Sequence, residues 1–117
     1  MYRHFAVSEF RCPCCSQNYI SERLVQMADD ARELAGFPWK INSGYRCPKH
    51  NQKVGGVEGS SHTKGFAFDV HCSGSTQRYA IVKALIAAGF KRIGIGETFV
   101  HADIDDDKPQ RVMWTYG

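Results

Sequence analysis

Apolar positions recur at helical spacing after Ser21: Leu24, Met27, Ala28, Ala31, Leu34 and Ala35. Such spacing places them on one side of an α-helix. Ser21 is suited to cap its start, with Glu22 in the first turn, and Gly36 stands where a helix-closing glycine belongs. A second helical pattern runs through Tyr79, Val82, Ala84, Leu85, Ile86 and Ala88 and closes at Gly89, with 73–76 offering turn and cap residues. Short strand-like stretches occupy 39–42, 66–70, 92–96, 99–104 and 111–116, and 105–109 makes a turn between the last two. The residues between about 43 and 63 predict a long connection holding Gly44, Gly55, Gly56 and Gly59. A loop of that length in a small domain usually has a function. The order of elements is mixed rather than strictly alternating, which predicts an α+β fold with an antiparallel sheet and two main helices.

Length and composition narrow the class. The chain has 117 residues, 43% hydrophobic and 23% charged. It should form a single domain over 1–117, with the Cys-rich segment 1–20 packed on it. Disordered, collagen-like and coiled-coil classes do not fit these proportions. The net charge of +3 is too mild to argue for nucleic acid, and the basic residues are spread out, with an acidic run over 103–107. The apolar stretch 79–90 is interrupted by Lys83 and is too short to span a bilayer. No apolar signal region follows Met1, Tyr2, Arg3 and His4, so the chain reads as cytoplasmic when synthesised, without a membrane partner. The sequence sets no oligomeric state.

Two histidines and a carboxylate carry the first chemical signal. His62 lies in a loop, Asp69 on the strand after it, and His101 on a later strand. Three such ligands suffice for a catalytic zinc and leave a fourth position for water. Strand alternation puts His101 and Asp103 on one face. No spacing rule by itself joins His62 to His101, and an ordinary structural role would serve each.

The string Ser60-x-His62-x-x-Gly65-x-Ala67-x-Asp69, with His101-x-Asp103 downstream, resembles the zinc D-Ala-D-Ala carboxypeptidase family of metallopeptidases. Residues 43–51 (Ser-Gly-Tyr-Arg-Cys-Pro-Lys-His-Asn) and 54–56 are similar to its short, often phage-encoded branch. The likeness spans roughly 10–104. It implies the fold shared with the hedgehog signalling domain, and His62, Asp69 and His101 as zinc ligands. Arg46 matches the arginine that faces substrate, and Ser60 is placed with it as substrate-binding. The implied partner is a peptidoglycan stem peptide, cut as a D-Ala-D-Ala carboxypeptidase or an endopeptidase. A metal-containing but catalytically silent binding module is the alternative, since the hedgehog domain uses this fold to act through partners.

Such a peptidase needs a general base, and Asp103 and Glu97 compete for the role. Asp103 lies within ~7 Å of His101 by strand rise, and its competing role is to orient that ligand. Glu97 precedes His101 by four residues and departs from the family's shorter spacing. Arg46 presents a planar fork suited to a carboxylate or an oxyanion.

The five cysteines are an odd number, with three packed into Cys12-Pro13-Cys14-Cys15. Cys12-x-x-Cys15 with Cys47-x-x-His50 has the arithmetic of a structural zinc site, with Cys14 as a substitute ligand. A Cys12–Cys47 or Cys14–Cys47 disulfide and unligated thiols stand beside that reading. Cys72 reads as a small core or surface residue.

Overall fold

A computed structural model describes residues 2–116. A 3-10 turn, Val7–Phe10, precedes helix α1, Glu22–Ala35. Strand β1, Ile41–Ser43, is followed by helix α2, Pro48–Lys53, and strand β2, Ala67–His71. Helix α3, Gly74–Ala87, leads to β3, Arg92–Ile95, β4, Phe99–Asp103, and β5, Val112–Thr115.

The caps of α1 are those its sequence predicts. Ser21 Oγ accepts from the Leu24 amide at 3.3 Å, and Gly36 takes the left-handed conformation at φ 79°. There the absence of a Cβ removes the usual penalty. Helix α3 begins earlier than its apolar spacing suggests, because residues 74–76 form its first turn and the Gln77 side chain accepts from the Ser73 amide. The expected long connection contains α2, hidden in the sequence by its brevity. Cys47 caps α2 by accepting from the His50 amide through Sγ, and Pro48 opens it, where a missing N–H costs nothing.

The five strands form one sheet in the order β1-β2-β4-β3-β5. The first three pairings are antiparallel, but β5 runs parallel to β3. The expected antiparallel sheet is therefore a mixed one. Asp103, Arg92 and Val112 share one register line, so the segment from 104 to 111 stays at one end of the sheet and passes β3 before β5 begins. Strand β5 thus opposes β4 in direction without touching it.

Alternation divides the sheet into two faces. Phe68, Val70, Ile93, Val100 and Ala102 face the core with Leu24, Val25, Ile81 and Leu85 from the helices. Phe5, Phe10, Phe68 and Phe90 continue through that core as successive edge contacts, with centroids 5.3, 6.1 and 5.8 Å apart. Each fully buried ring contributes about 1.5–3 kcal/mol of apolar burial, and the two from the N-terminal segment hold it against the sheet. The opposite face carries Asp69, His101, Gly94 and Trp114 in adjacent register positions. Among the described residues no helix is long and apolar enough to cross a membrane.

Candidate metal centre

The polar face of the sheet forms the floor of a cavity of about 500 Å³. Asp69 and His101 are cross-strand partners on β2 and β4, and antiparallel pairing brings their side chains together. His62 enters from the loop before β2. That loop turns at Gly65, φ 76°, where a Cβ would collide with the Tyr19 carbonyl.

Three acceptors converge here. The His62 Nδ1–H donates to the Gly44 carbonyl at 2.8 Å, leaving the Nε2 lone pair toward Asp69 Oδ1 at 3.4 Å. His101 is turned the other way: its Nε2–H donates to Asp103 Oδ2 at 2.7 Å, and Nδ1 lies 2.9 Å from Asp69 Oδ1. The three donor atoms lie within 4.8 Å of one another. Lone pairs aimed at one point require a shared proton or a cation. With each imidazole's second nitrogen anchored, the set fits a tetrahedral zinc with one position left over. Burial opposes charge on Asp69, yet its bonds to His101 and His62 hold its carboxyl well below the usual range. Burial likewise opposes charge on His101, and the hydrogen bonds to Asp103 and Asp69 prevail and raise its pKa.

Of the two carboxylates considered for the general base, Asp103 lines the cavity and is 1% exposed. Both its oxygens are engaged: Oδ2 by His101, and Oδ1 by the Arg92 Nε–H at 2.7 Å and the Asp105 amide at 3.1 Å. Its carboxylate is thus hydrogen-bonded on both oxygens within the protein. Glu97 sits exposed in the three-residue turn between β3 and β4, away from the cavity lining.

Arg46 also lines the cavity, and all three of its nitrogens donate. Nε bonds Ser43 Oγ at 3.0 Å, Nη1 bonds Asn51 Oδ1 at 3.1 Å, and Nη2 reaches Asp69 Oδ2 at 3.5 Å. Ser60 is buried in the wall, its hydroxyl accepting from the His62 amide at 3.2 Å.

Several members of this site have no assigned role in the sequence reading. Asn51 orients Arg46 and donates to the Val57 carbonyl at 2.9 Å. A Cβ on Gly56 would overlap the Asn51 amide, so that glycine makes room for the contact. Trp114 lies 5.5 Å from the His101 ring and stacks under the Arg92 guanidinium at 4.8 Å, with Tyr116 beside it. Any side chain at Gly94 would strike both aromatic rings. The alternation over 111–116 already puts Trp114 and Tyr116 on one face; what it cannot supply is the strand beside them. Beyond His101, buried Asp105 accepts from Ser61 at 2.7 Å and from Lys64 at 3.1 Å, and Lys108 donates to Ser61 at 2.9 Å.

The cysteines gather on the far side of Arg46. Cys12, Cys14, Cys15 and Cys47 bring their sulfurs within 4.8 Å of one another. His50 is not among them: its amide, rather than its ring, meets the Cys47 sulfur, and its Nδ1 is buried without a partner. The grouping differs from the expected set of Cys12, Cys15, Cys47 and His50 in that Cys14 stands in it and the His50 ring does not. All five cysteines are free, so neither considered disulfide is present. Burial works against ionising Cys12, but hydrogen bonds from the Cys47 amide and neighbouring cysteines bring its pKa down to about 6. Cys72 is buried and apart from the cluster.

No curated protein matches the chain. The family model described as peptidase M15 matches residues 3–105, and the chain belongs to that family of zinc-dependent peptidases.

Proposed function

From that membership and the cavity described above, we propose that the protein hydrolyses D-amino-acid-containing stem peptides of bacterial peptidoglycan. It acts as a D-Ala-D-Ala carboxypeptidase or an endopeptidase, at the bacterial cell wall. The observation that carries this reading is the convergence of His62 Nε2, Asp69 Oδ1 and His101 Nδ1 on one point of an open cavity.

Those three side chains would hold the zinc. When bound, zinc supplies Lewis acidity, which acidifies water and polarises a carbonyl. The chain's own residues do the rest. Gly44 and Asp103 fix which nitrogen each imidazole presents. Arg46 uses three of the five N–H groups of its guanidinium internally. Arg46 lines the cavity, and its two remaining N–H groups can bind a peptide carboxylate or a developing oxyanion by charge-assisted bonds. Arg92 and Lys108 add further positive charge to the wall, and Trp114 and Tyr116 offer a flat surface for the peptide chain. This pairing of cation and aromatic surface suits a short anionic peptide. Asp103 and Glu97 are the two candidates to take a proton from water: Asp103 lines the cavity with both oxygens engaged, and Glu97 lies exposed at the β3–β4 turn outside that lining.

A catalytically silent binding module is the second reading. It draws support from one observation: among the described residues no unengaged carboxylate lines the cavity beside the ligand set.

The test is mass spectrometry of stem peptides ending in D-Ala, incubated with the protein, then with chelator, then with zinc restored. A fragment that disappears with chelation and returns with zinc establishes the peptidase and identifies the bond cut. Binding without cleavage by zinc-loaded protein establishes the silent module instead.

A further inference from the structure

The cysteine cluster stands apart from the cavity chemistry, and its geometry is specific. The Cys12 sulfur lies 3.6 Å from that of Cys14 and 3.7 Å from that of Cys47, and Cys14 and Cys47 are 3.3 Å apart. Cys15 completes a group whose members all fall within 4.8 Å. Disulfide sulfurs stand about 2.05 Å apart. A tetrahedron with metal–sulfur bonds of about 2.3 Å has sulfur–sulfur edges near 3.8 Å. The observed separations are those of ligands around a centre, not of a bonded pair.

The surroundings are built for thiolate charge. The Cys47 amide donates to Cys12 Sγ at 3.5 Å, and the His50 amide donates to Cys47 Sγ at 3.4 Å. The turn carrying the first three cysteines closes through Cys12 N–H to the Gln17 carbonyl at 2.8 Å and Ser16 N–H to the Cys12 carbonyl at 2.9 Å. Ser16 adopts φ 60° to make it, a conformation that is costly for a residue with a side chain. Cys12 and Cys47 are buried while Cys14 and Cys15 face solvent, so an ion has a path in.

We infer that Cys12, Cys14, Cys15 and Cys47 form a closed tetrathiolate zinc site that is structural. Four protein ligands leave no position for water, so the site performs no hydrolysis. Its effect is mechanical. Cys47 directly follows Arg46 and caps α2, which carries Asn51. An ion there clamps the 12–17 turn to the segment that orients Arg46 and, through the Gly44 carbonyl, His62. The site does not depend on the peptidase reading and stands or falls separately.

Metal content of the intact protein tests it. We expect two zinc ions per chain: Cys47→Ser loses one, His101→Ala loses the other, and the double variant loses both. With cobalt in place of zinc, the intense sulfur-to-metal charge-transfer band persists in His101→Ala and His50→Ala and vanishes in Cys47→Ser. Should Cys47→Ser fail to fold, thiol alkylation of the unmodified protein decides. Exposed Cys14 and Cys15 should resist the reagent when zinc is bound and react once a chelator removes it. Several results would overturn the site: one zinc that only His101→Ala removes, full thiol reactivity in zinc-loaded protein, a disulfide found by mass, an iron–thiolate spectrum, or loss of the cobalt band in His50→Ala.

Discussion

His101 and Asp103, two residues apart on β4, are joined side chain to side chain: the imidazole Nε2–H donates to the carboxylate at 2.7 Å, so Nδ1 is the nitrogen that faces Asp69. The strand's alternation puts both residues on one face, and Arg92 pins the far oxygen of the carboxylate. The ring therefore cannot turn over without breaking a buried, charge-assisted network. Asp103→Asn should weaken zinc binding by about 10–100-fold, as loss of an orienting partner does elsewhere. Competition with a chromophoric chelator measures this, and unchanged affinity would remove Asp103 from the metal centre.

Glu97 makes the opposite prediction. Glu97→Gln should leave zinc content unchanged and lower kcat by about 10²–10⁴-fold, the range for loss of a general base. Steady-state kinetics beside metal analysis separates the two carboxylates. If Glu97→Gln keeps full turnover, the proton acceptor lies elsewhere.

Arg46→Lys retains the charge and loses the fork that spans Ser43, Asn51 and Asp69. We expect kcat/KM to fall by about 10²–10³-fold, comparable to removal of one oxyanion donor, with zinc retained. Activity within a few fold of the parent would argue that Arg46 serves only to brace Asp69.

Acid stability should depend on Asp29, far from the metal centre. It is 1% exposed, with Oδ1 accepting from the His4 amide at 2.8 Å and Oδ2 from the Arg3 amide at 3.2 Å. Burial pushes its carboxyl up, but these bonds outweigh burial and hold it below the ordinary value. A depressed folded-state pKa means that its contribution is complete above the ordinary carboxylate pKa of about 3.9 and is lost as pH falls through the lowered one. Asp29→Ala should cost about 1–3 kcal/mol near neutrality, and the difference from the parent should shrink as the pH drops below about 4. Denaturant titrations at neutral and acidic pH measure it. An equal difference at both would show that the carboxylate's charge contributes nothing.

The elements that were legible in the sequence are those whose signals are local. Ser21, Gly36 and the spacing from Leu24 to Ala35 carry α1 within sixteen residues, and the alternation around Asp69 and His101 carries β2 and β4. Helix α2 leaves no such signal because six residues make fewer than two turns and its cap is a cysteine, which otherwise reads as a metal ligand. The parallel placing of β5 was out of reach because it depends on which strand lies beside it. His50 illustrates the same limit: its spacing from Cys47 fits a zinc site, but as the third residue of a helix it turns its amide toward the sulfur. What bears on the two roles open to Asp103 is a contact from another strand, the Arg92 Nε–H on its second oxygen, which no local pattern carries.

The parallel pairing of β5 with β3 bears on how the cavity comes into being. His62, Asp69 and His101 all precede β5 in the chain, and β1, β2, β4 and β3 can zip together by antiparallel contacts between neighbours. Trp114 and Tyr116 arrive only when β5 docks along β3 after the chain has passed around the end of the sheet. Parallel pairing across such a connection closes more slowly than a hairpin. The docking of β5 thus adds an aromatic wall to a ligand set that the other four strands and the loop before β2 already hold.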